Sequence, residues 1–402
     1  MLVYLGKERV TSRDAMNLSS EQIIASEGQH TSGLDPKRNL AIVGGAGARL
    51  YDAEGRSYID CVGGQGAASL GHAHPAIVAA IQAQAAQLIS CPEIFYNDQR
   101  ASYLAALAEA LPFAARIFLC NSGAEAVEAG IKFARMLSGR PRIIATKRGF
   151  HGRTMGALSA TWESKYREPF MPLVPEFAHV PYGDAEELAE AVDEQTAAVL
   201  IEPVQGEGGV RPAPAGYLEA VRRICDERGA LLLVDEVQTS FGRTGKLFAI
   251  EHSGVTPDLL ILAKSIAAGL PMGAVAIYER FGPLPGGSHG TTFGGSPLLC
   301  ATAHAALRAY IDEDLPRQAA EKGAWLIEQL RGLRLPAVRE VRGQGLLVGL
   351  ELKTRVQPAL QALMDRGVLA LPAGPTVLRL LPPLVITYED PKQVVATIGE
   401  VL

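Results

Sequence analysis

Three segments of the 402-residue chain place reactive residue types directly after short apolar runs. The run RIFLC (116–120) leads into the small-residue turn NSGA (121–124), the run LLLVD ends in Asp235, and the run LLILA ends immediately before Lys264. Apolar runs of this kind are typical of strands buried in a parallel sheet, and ligands bind beyond the carboxyl ends of such strands. The three segments therefore predict a binding site at one edge of a sheet.

Each segment allows a chemical and an ordinary structural interpretation. The turn at 121–124, followed by a helical pattern, offers free backbone N–H groups to an anion such as phosphate, or is only a tight strand–helix turn. Asp235 could hold a buried cation such as a protonated pyridine nitrogen, or could cap a helix or form a structural ion pair. Lys264 would lose hydration at the end of an apolar strand, which lowers the pKa of its amine and makes it nucleophilic. An anion site, an acid and an amine at one sheet edge together fit pyridoxal 5′-phosphate.

The elements that position these residues alternate along the chain. Strand patterns recur between helical ones from about residue 65, which predicts an α/β domain built on a mostly parallel sheet. The sequence from residue 48 to 61 predicts a hairpin. After residue 296 a long helix leads to antiparallel-looking strands within 338–352. We therefore predict an N-terminal arm with part of a small domain (1–60), a large cofactor-binding domain (61–296) and a C-terminal small domain (297–402).

Composition excludes several other classes. The formal net charge of −5 argues against a nucleic-acid-binding protein, because phosphate binding requires a basic face. The five cysteines are widely spaced and form no C-x-x-C pattern, so we expect neither a disulfide framework nor a zinc site. The start MLVYLGKERV does not resemble a signal peptide, and the most apolar long stretch contains Asp258, Lys264 and two prolines. These features predict a cytoplasmic protein without a membrane span.

Six motifs in chain order resemble the class III aminotransferases of the fold-type I pyridoxal-phosphate enzymes. They are NSGAEA (121–126), GFHGRT (149–154), EPVQGEGG (202–209), DEVQ (235–238), AKSIAAGLPMGA (263–274) and HGTTFGGSP (289–297). The resemblance covers nearly the whole chain. It implies a seven-stranded-type sheet in the large domain and a smaller α+β domain formed by the C-terminal part and the N-terminal arm.

The resemblance also implies roles around the cofactor ring. Lys264 is expected to form the Schiff base with the cofactor and, once released by substrate, to move a proton. Asp235 is expected to pair with the pyridinium nitrogen, and Gln238 to contact the phenolic oxygen. Phe150 is expected to stack on the ring, although on its own it reads as an ordinary core aromatic, and Glu202 is expected to lie nearby.

The phosphate is expected to contact Ser122 and the backbone N–H groups of Gly123 and Ala124. The family often has Thr where Ala124 stands, so one hydroxyl contact of the family pattern is not expected here. Thr292 is expected to reach the phosphate of a neighbouring subunit, with Thr291 near the substrate. The resemblance therefore implies a homodimer with shared sites.

Two arginines are candidates for binding substrate carboxylates, because the planar guanidinium pairs with a carboxylate through two hydrogen bonds. They are Arg153 and Arg379. Arg379 stands in the apolar segment VLRLLPPL, where an unpaired guanidinium would be costly. The family pattern supplies a partner: Glu207 pairs with Arg379 when an ω-amino substrate binds and swings away when 2-oxoglutarate does.

The substrate resemblance points to two related groups. Segments 58–64, 148–170, 203–213, 338–353 and 370–386 resemble an aminotransferase of carrier-protein lysine biosynthesis more than the acetylornithine aminotransferases. In that pathway the aminoadipate semialdehyde substrate is attached to the C-terminal glutamate of a small acidic carrier protein. The glutamate semialdehyde analogue of arginine biosynthesis is a related substrate. A carrier of this kind predicts basic side chains around the mouth of the site.

The sequence leaves three alternative functions open. A mutase or racemase of the same fold would keep Lys264 and Asp235 but would need no 2-oxoglutarate. A dinucleotide-dependent oxidoreductase would rest on the glycine-rich run 44–47, which hairpin-like sequence follows instead of a helix. A non-catalytic interaction protein would leave Lys264 and Asp235 in apolar surroundings without explanation.

Overall fold

The computed structural model describes residues 18–402 and, before them, two short paired strands, Val3–Leu5 and Glu8–Val10. The rest of the predicted arm before residue 18 lies outside the described residues. The helix Ser20–His30 begins at a capping box formed by Ser19 and Gln22, and none of its side chains is buried. Ser20 of this helix donates two hydrogen bonds to the Glu54 carboxylate, with N···Oε1 at 2.9 Å and Oγ···Oε2 at 2.5 Å.

A seven-stranded sheet forms the centre of the molecule, as the alternating pattern and the resemblance predicted. In sheet order its strands are Ala115–Cys120, Gly273–Tyr278, Leu259–Leu262, Leu231–Asp235, Thr196–Ile201, Arg142–Thr146 and Phe177–Val180. All neighbouring strands are parallel except around Gly273–Tyr278, which runs antiparallel to both of its neighbours. The fold class is therefore α/β with a mainly parallel sheet.

Both faces of this sheet are covered, which explains why its strands lack a polar face. Leu231 and Leu233 pack into one hydrophobic cluster, and the alternate residues Leu232 and Val234 pack into the other. The alternation follows from the two-residue period of a strand. The helices of this part of the chain are Gly63–Gly66, Pro75–Ala85, Asp98–Ala110, Gly123–Ser138, Met155–Ala160, Ser164–Arg167, Ala185–Ala191 and Tyr217–Arg228.

Two four-stranded sheets accompany the large one. The first is antiparallel and contains Val338–Gln344, Leu347–Leu352, Val377–Leu380 and Leu371–Pro372. The second joins the C-terminal strand Val368–Leu369 to Ser57–Asp60, Arg49–Asp52 and Ile42–Ala46. The predicted hairpin corresponds to the antiparallel pair Arg49–Asp52 and Ser57–Asp60. The domain boundaries at 60 and 296 stay predictions.

The remaining elements complete the C-terminal part and the connections. The α-helices are Pro297–Asp312, Leu315–Gly332, Gln357–Asp365 and Glu389–Val401. Short 3₁₀ helices lie at Glu168–Phe170, Ala249–His252, Lys264–Ala267 and Glu279–Phe281, and one further strand pair joins Val204–Gln205 to Arg211–Pro212. Across the described part of the chain, no helix combines the length and apolar character that crossing a bilayer requires.

Candidate active site

The ends of three sheet strands meet at Gly123. A Cβ atom placed on Gly123 would lie 2.9 Å from Cγ1 of Val237 and 3.4 Å from Cβ of Ala263. Val237 follows Asp235 by two residues, and Ala263 immediately precedes Lys264. The predicted anion turn, acid and amine are therefore brought to one place, and glycine at position 123 permits this approach because a Cβ there would press on the Val237 side chain.

The turn at 121–124 opens the helix Gly123–Ser138. The Ser122 hydroxyl caps this helix by accepting the Glu125 N–H at 3.1 Å. The N–H groups of Gly123 and Ala124 occupy the first two helical positions, where no intrahelical acceptor exists. Gly152 packs against Ala124, since a Cβ on Gly152 would lie 2.9 Å from the Ala124 Cβ. The helix start thus presents free donors and the positive end of the helix dipole.

Asp235 has a buried partner that the sequence did not indicate. Its Oδ2 lies 2.8 Å from Nδ1 of His151, and its Oδ1 accepts the Val237 N–H at 2.9 Å. Both side chains are buried. Burial alone would lower the pKa of His151, but the hydrogen bond to Asp235 and its negative charge outweigh burial and raise that pKa. The only sequence signal for His151 is its place in the GFHGRT motif.

Glu202 and Phe150 lie next to this pair. The Glu202 side chain accepts the N–H groups of Phe150 at 3.2 Å and Gly206 at 3.3 Å. Burial raises the pKa of Glu202 to about 7, and the charge of Asp235 acts in the same direction. The Phe150 ring is partly exposed and meets the Tyr166 ring edge-on at 6.0 Å.

Lys264 stands in a left-handed backbone conformation, with φ of 46°. Its neighbour Ser265 fixes this turn, because the Ser265 hydroxyl donates to the Gly66 carbonyl at 2.9 Å and its own carbonyl accepts the Tyr310 hydroxyl at 2.9 Å. A Cβ on Gly66 would lie 3.9 Å from Cδ of Lys264. Burial lowers the pKa of the Lys264 amine; the Arg379 charge adds to this, while Glu207 acts against it. A lowered pKa leaves more of the amine uncharged and nucleophilic.

Arg379 and Glu207 form an ion pair with 2.5 Å between Nη1 and Oε1, the contact that the family pattern implies. The same nitrogen donates to Oε1 of Gln238 at 3.1 Å, and Nε of Arg379 is buried without a hydrogen-bond partner among the described residues. The Arg379 side chain is 3% exposed and that of Glu207 is 31% exposed, so the carboxylate is the partner with room to move. Burial by itself would raise the pKa of Glu207, but the Arg379 charge holds it below its ordinary value. Gly206 leaves space for Gln238, whose Oε1 would be 1.8 Å from a Cβ there.

The two threonines of the HGTTFGGSP motif have different surroundings. Thr291 Oγ1 accepts a hydrogen bond of 2.8 Å from the Asn121 side chain, beside the anion turn. Thr292 is exposed. Arg153 is also exposed, and its guanidinium lies over the Tyr166 ring, 3.7 Å from the centroid. The structure therefore brings Thr291 to the site of its own chain and leaves Thr292 facing outward.

A cavity opens beside Glu207 and forms the mouth of the site. Phe150, Tyr166 and Glu207 are among the residues that line it. Its wall also carries three basic side chains and two further acidic ones, namely Arg148, Lys165, Arg211, Glu163 and Glu351.

These residues fit pyridoxal phosphate at its aldehyde, its ring nitrogen and its phosphate. Lys264 offers an amine to the aldehyde, and Asp235 offers a buried carboxylate to the ring nitrogen. The start of the helix at Gly123 offers N–H donors to the phosphate. The buried, unpartnered Nε of Arg379 and the partly exposed Glu207 are additional groups that a carboxylate substrate could use.

Comparisons with known proteins agree with this chemistry. The family model described as class-III aminotransferase matches residues 34–402. A [LysW]-aminoadipate semialdehyde transaminase of Deinococcus radiodurans is 52% identical over 94% of this chain and 90% of its own length. An acetylornithine aminotransferase of Methanopyrus kandleri is 47% identical over 90% and 94%. The ornithine aminotransferase structure of Toxoplasma gondii, whose description names PLP at the active site, superposes with a TM-score of 0.93, 35% identity and coverage of 97% and 95%. The chain belongs to the class III aminotransferases and is a pyridoxal-phosphate-dependent enzyme.

Proposed function

We propose that this enzyme transfers an ω-amino group between glutamate/2-oxoglutarate and a carrier-protein-linked aminoadipate semialdehyde, a step of lysine biosynthesis. The carrier-linked glutamate semialdehyde of arginine biosynthesis is the analogous second substrate. The observation that carries the proposal is the buried Arg379 paired with the partly exposed Glu207. One site must accept two chemically different partners in turn, and this pair offers a cation that can be covered or uncovered.

Each residue that faces the cofactor is proposed to have a separate role. Pyridoxal phosphate, when bound, supplies the electron sink and the carrier of the amino group. Lys264 is proposed to bind its aldehyde and, when free, to move a proton at the substrate carbon that bears the amino group. Asp235, oriented by His151, is proposed to hold the ring nitrogen protonated. Gln238 and Phe150 are proposed to fix the ring, with Glu202 beside it.

The phosphate-facing residues are proposed to be Ser122, Gly123 and Ala124. The two N–H groups at the helix start lie where an anion is stabilised by the helix dipole. Because position 124 is alanine, its side chain supplies no hydroxyl to the phosphate. Anchoring the phosphate here would hold the ring against Asp235 and Lys264, whose strands end beside Gly123.

The substrate-facing residues support a two-stage exchange. With Glu207 in place, the charge of Arg379 is neutralised and the site suits the ω-amine of the first substrate. With Glu207 displaced, Arg379 is proposed to bind the carboxylate of 2-oxoglutarate. Arg153, which lies against Tyr166, is proposed to hold the remote end of the substrate, and Thr291 is proposed to lie near the substrate.

The cavity wall carries as many acidic side chains as basic ones, but Glu207 and Glu351 are paired, so the free charges of Arg148 and Lys165 favour an acidic carrier protein as the partner. Opposite charge accelerates the encounter of two proteins and orients it. The relative from Deinococcus radiodurans, whose name specifies a LysW-linked substrate, supports the same assignment. The acetylornithine aminotransferases are also similar, so N-acetylornithine is the second candidate substrate. A mutase or racemase of this fold is less consistent with the Glu207–Arg379 pair, which serves a second, dicarboxylic substrate.

A homodimer is also part of the proposal. Six large apolar side chains stand exposed in two neighbouring segments: Leu88, Ile89, Ile94, Phe95, Tyr96 and Phe293. Arg100 ties these segments together, since its guanidinium donates to the carbonyls of Cys91 and Phe95 on one side and Gly295 on the other. An exposed apolar patch with a rigid backbone is typical of a protein interface. Thr292 lies in the same region and could then serve the neighbouring subunit.

Steady-state kinetics with two amino donors test the substrate assignment. We expect a higher kcat/KM for the carrier-linked amine than for free N-acetylornithine, each with 2-oxoglutarate as acceptor. A far lower value for the carrier-linked amine would contradict the assignment and favour the acetylornithine reaction.

A spectroscopic experiment tests Lys264. We expect the visible absorbance of the bound cofactor to disappear in Lys264→Ala, and borohydride reduction of the wild type to leave the cofactor attached to the peptide that contains residue 264. Attachment at another lysine would contradict the role. Lys246→Ala, outside the site, is the control.

A further inference from the structure

The mouth contains an exposed arginine, Arg148, that has no partner among the described residues. The cavity beside Glu207 is lined by Phe150, Arg148 and Lys165, among others. Arg148 is exposed and makes neither an ion pair nor a side-chain hydrogen bond with any residue that the structure describes. Lys165 is exposed too, with its ammonium 4.7 Å from the centre of the Tyr166 ring.

The backbone holds Arg148 in a costly conformation. Its φ is 68°, in the left-handed region that side chains other than glycine rarely adopt. Gly208 packs against it, because a Cβ there would lie 2.6 Å from the Arg148 carbonyl oxygen and 3.0 Å from its Cβ. Gly208 directly follows Glu207, so the arginine is fixed relative to the substrate side of the cavity. Strain of this kind persists where the surroundings enforce it and is often found at ligand sites.

The free charge of this region is positive. Two of the three acidic side chains that line the cavity form ion pairs. Glu207 pairs with Arg379, and Glu351 pairs with both Arg342 and Arg211. Glu163 is exposed and has no ion pair within the described part of the chain. Against this one carboxylate stand two lining cations without acidic partners there, Arg148 and Lys165, and the Arg153 guanidinium lies over the Tyr166 ring beside them.

We propose that Arg148 and Lys165 form a subsite for a carboxylate carried by the acyl group of the amino substrate. This inference rests on the proposed function, in which the substrate amine is linked to a terminal glutamate. A terminal glutamate has two carboxyl groups and uses only one in the amide bond. The other remains ionised a few bonds from the amide, whereas an acetyl group has no such charge. The subsite therefore distinguishes carrier-linked substrates from N-acetylated ones.

Two small amines that differ in a single carboxylate test the subsite without the carrier protein. N2-glutaryl-L-lysine carries a terminal carboxylate at the reach of a glutamyl group, and N2-pentanoyl-L-lysine is its neutral counterpart. We expect the wild type to favour the glutaryl compound by about tenfold in kcat/KM, the contribution of one charge-assisted pair. Inhibition constants of both compounds against the standard amino donor provide the same ratio where turnover is slow.

Arg148→Ala is expected to lose most of this preference, and the double variant Arg148→Ala/Lys165→Ala to lose all of it. Lys147→Ala is the matched control, because it removes the same charge from the adjacent exposed residue, which does not line the cavity. The preference should survive in Lys147→Ala. Equal use of both compounds by the wild type, or an equal loss of preference in Arg148→Ala and Lys147→Ala, would overturn the subsite.

The test of the subsite and the test of the proposed function can fail independently of each other. If the wild type prefers the glutaryl compound and Arg148→Ala loses most of that preference, the subsite stands even if the carrier-linked amine proves a poor substrate. If the carrier-linked amine is a good substrate while the glutaryl preference is absent, the proposed function stands and the subsite is wrong.

Discussion

At the level of single residues, the contact between His151 and Asp235 decides how the buried carboxylate is held. The hydrogen bond between Nδ1 and Oδ2 is 2.8 Å long, and both side chains are buried. A buried carboxylate is costly without a donor, so His151 both stabilises Asp235 and sets the direction of its free lone pairs. His151 is therefore expected to act through Asp235 on the proton of the cofactor ring.

Replacing His151 by residues with and without a donor tests this positioning role. We expect His151→Phe to lower kcat by about 10- to 100-fold, the usual effect of removing a partner that orients a functional group. His151→Asn, which can still donate to Asp235, should recover part of the loss. The pH dependence of the cofactor spectrum should shift in His151→Phe more than in His151→Asn. Identical spectra and rates in the two variants would show that only packing matters at this position.

At the level of elements, Arg243 connects segments that are far apart in the chain. Its guanidinium, which is fully buried, donates to the carbonyls of Leu346 at 3.0 Å and Pro382 at 2.5 Å and to the Ser69 hydroxyl at 3.0 Å. Burial lowers the pKa of Arg243 to about 10. Ser69 in turn lies 2.6 Å from the Ser265 hydroxyl, next to Lys264. Arg243 thus links the antiparallel sheet of the C-terminal part to the turn that carries the lysine.

Arg243→Met should destabilise the protein strongly. The change leaves buried acceptors at Leu346 and Pro382 without donors, and we expect the free energy of unfolding to fall by about 3 kcal/mol. Arg308→Met is the matched control, since Arg308 is exposed and pairs with Asp312 on its own helix, where such pairs contribute little. Chemical denaturation of both variants measures the difference, and similar values would contradict the proposed anchoring.

At the level of the whole molecule, the position of Thr292 depends on assembly. Thr292 is exposed in the single chain, close to the apolar patch around Phe95 and Phe293. If two chains pair through this patch, Thr292 can approach the phosphate of the partner subunit. A site that needs both chains predicts complementation between different variants.

Mixed dimers test this arrangement. We expect Thr292→Ala to weaken cofactor binding because one phosphate contact is lost. Mixing it with an excess of Lys264→Ala should restore tight binding at the intact lysine sites, since each of those sites then receives Thr292 from a Lys264→Ala subunit. Cofactor dissociation constants and activity of the mixture provide the measurement, and a purely additive result would exclude a shared site. Thr291→Ala, beside Asn121 of its own chain, should not be rescued in the same way.

The sequence by itself determined the alternation of strands and helices, the apolar strands at 116–120, 231–235 and 259–263 and the motifs at their ends. These are local properties, because strand period, helix start and turn chemistry depend on neighbouring residues. It also indicated Lys264, Asp235, Glu207 and Arg379 as a set, through motif resemblance.

Only the tertiary structure decided which atoms meet. The strand Gly273–Tyr278, which the sequence analysis did not identify, lies antiparallel between two strands that point the same way, and it pairs with Cys120 on one side and Leu262 on the other. This sheet order sets the turn at Gly123 beside Ala263, although the two are far apart in sequence. The His151–Asp235 contact and the position of Arg148 beside Gly208 arise in the same manner, from strand order and loop packing between distant segments. Such contacts depend on long-range pairing and not on local sequence, which is why the motifs named the reactive residues but not their partners.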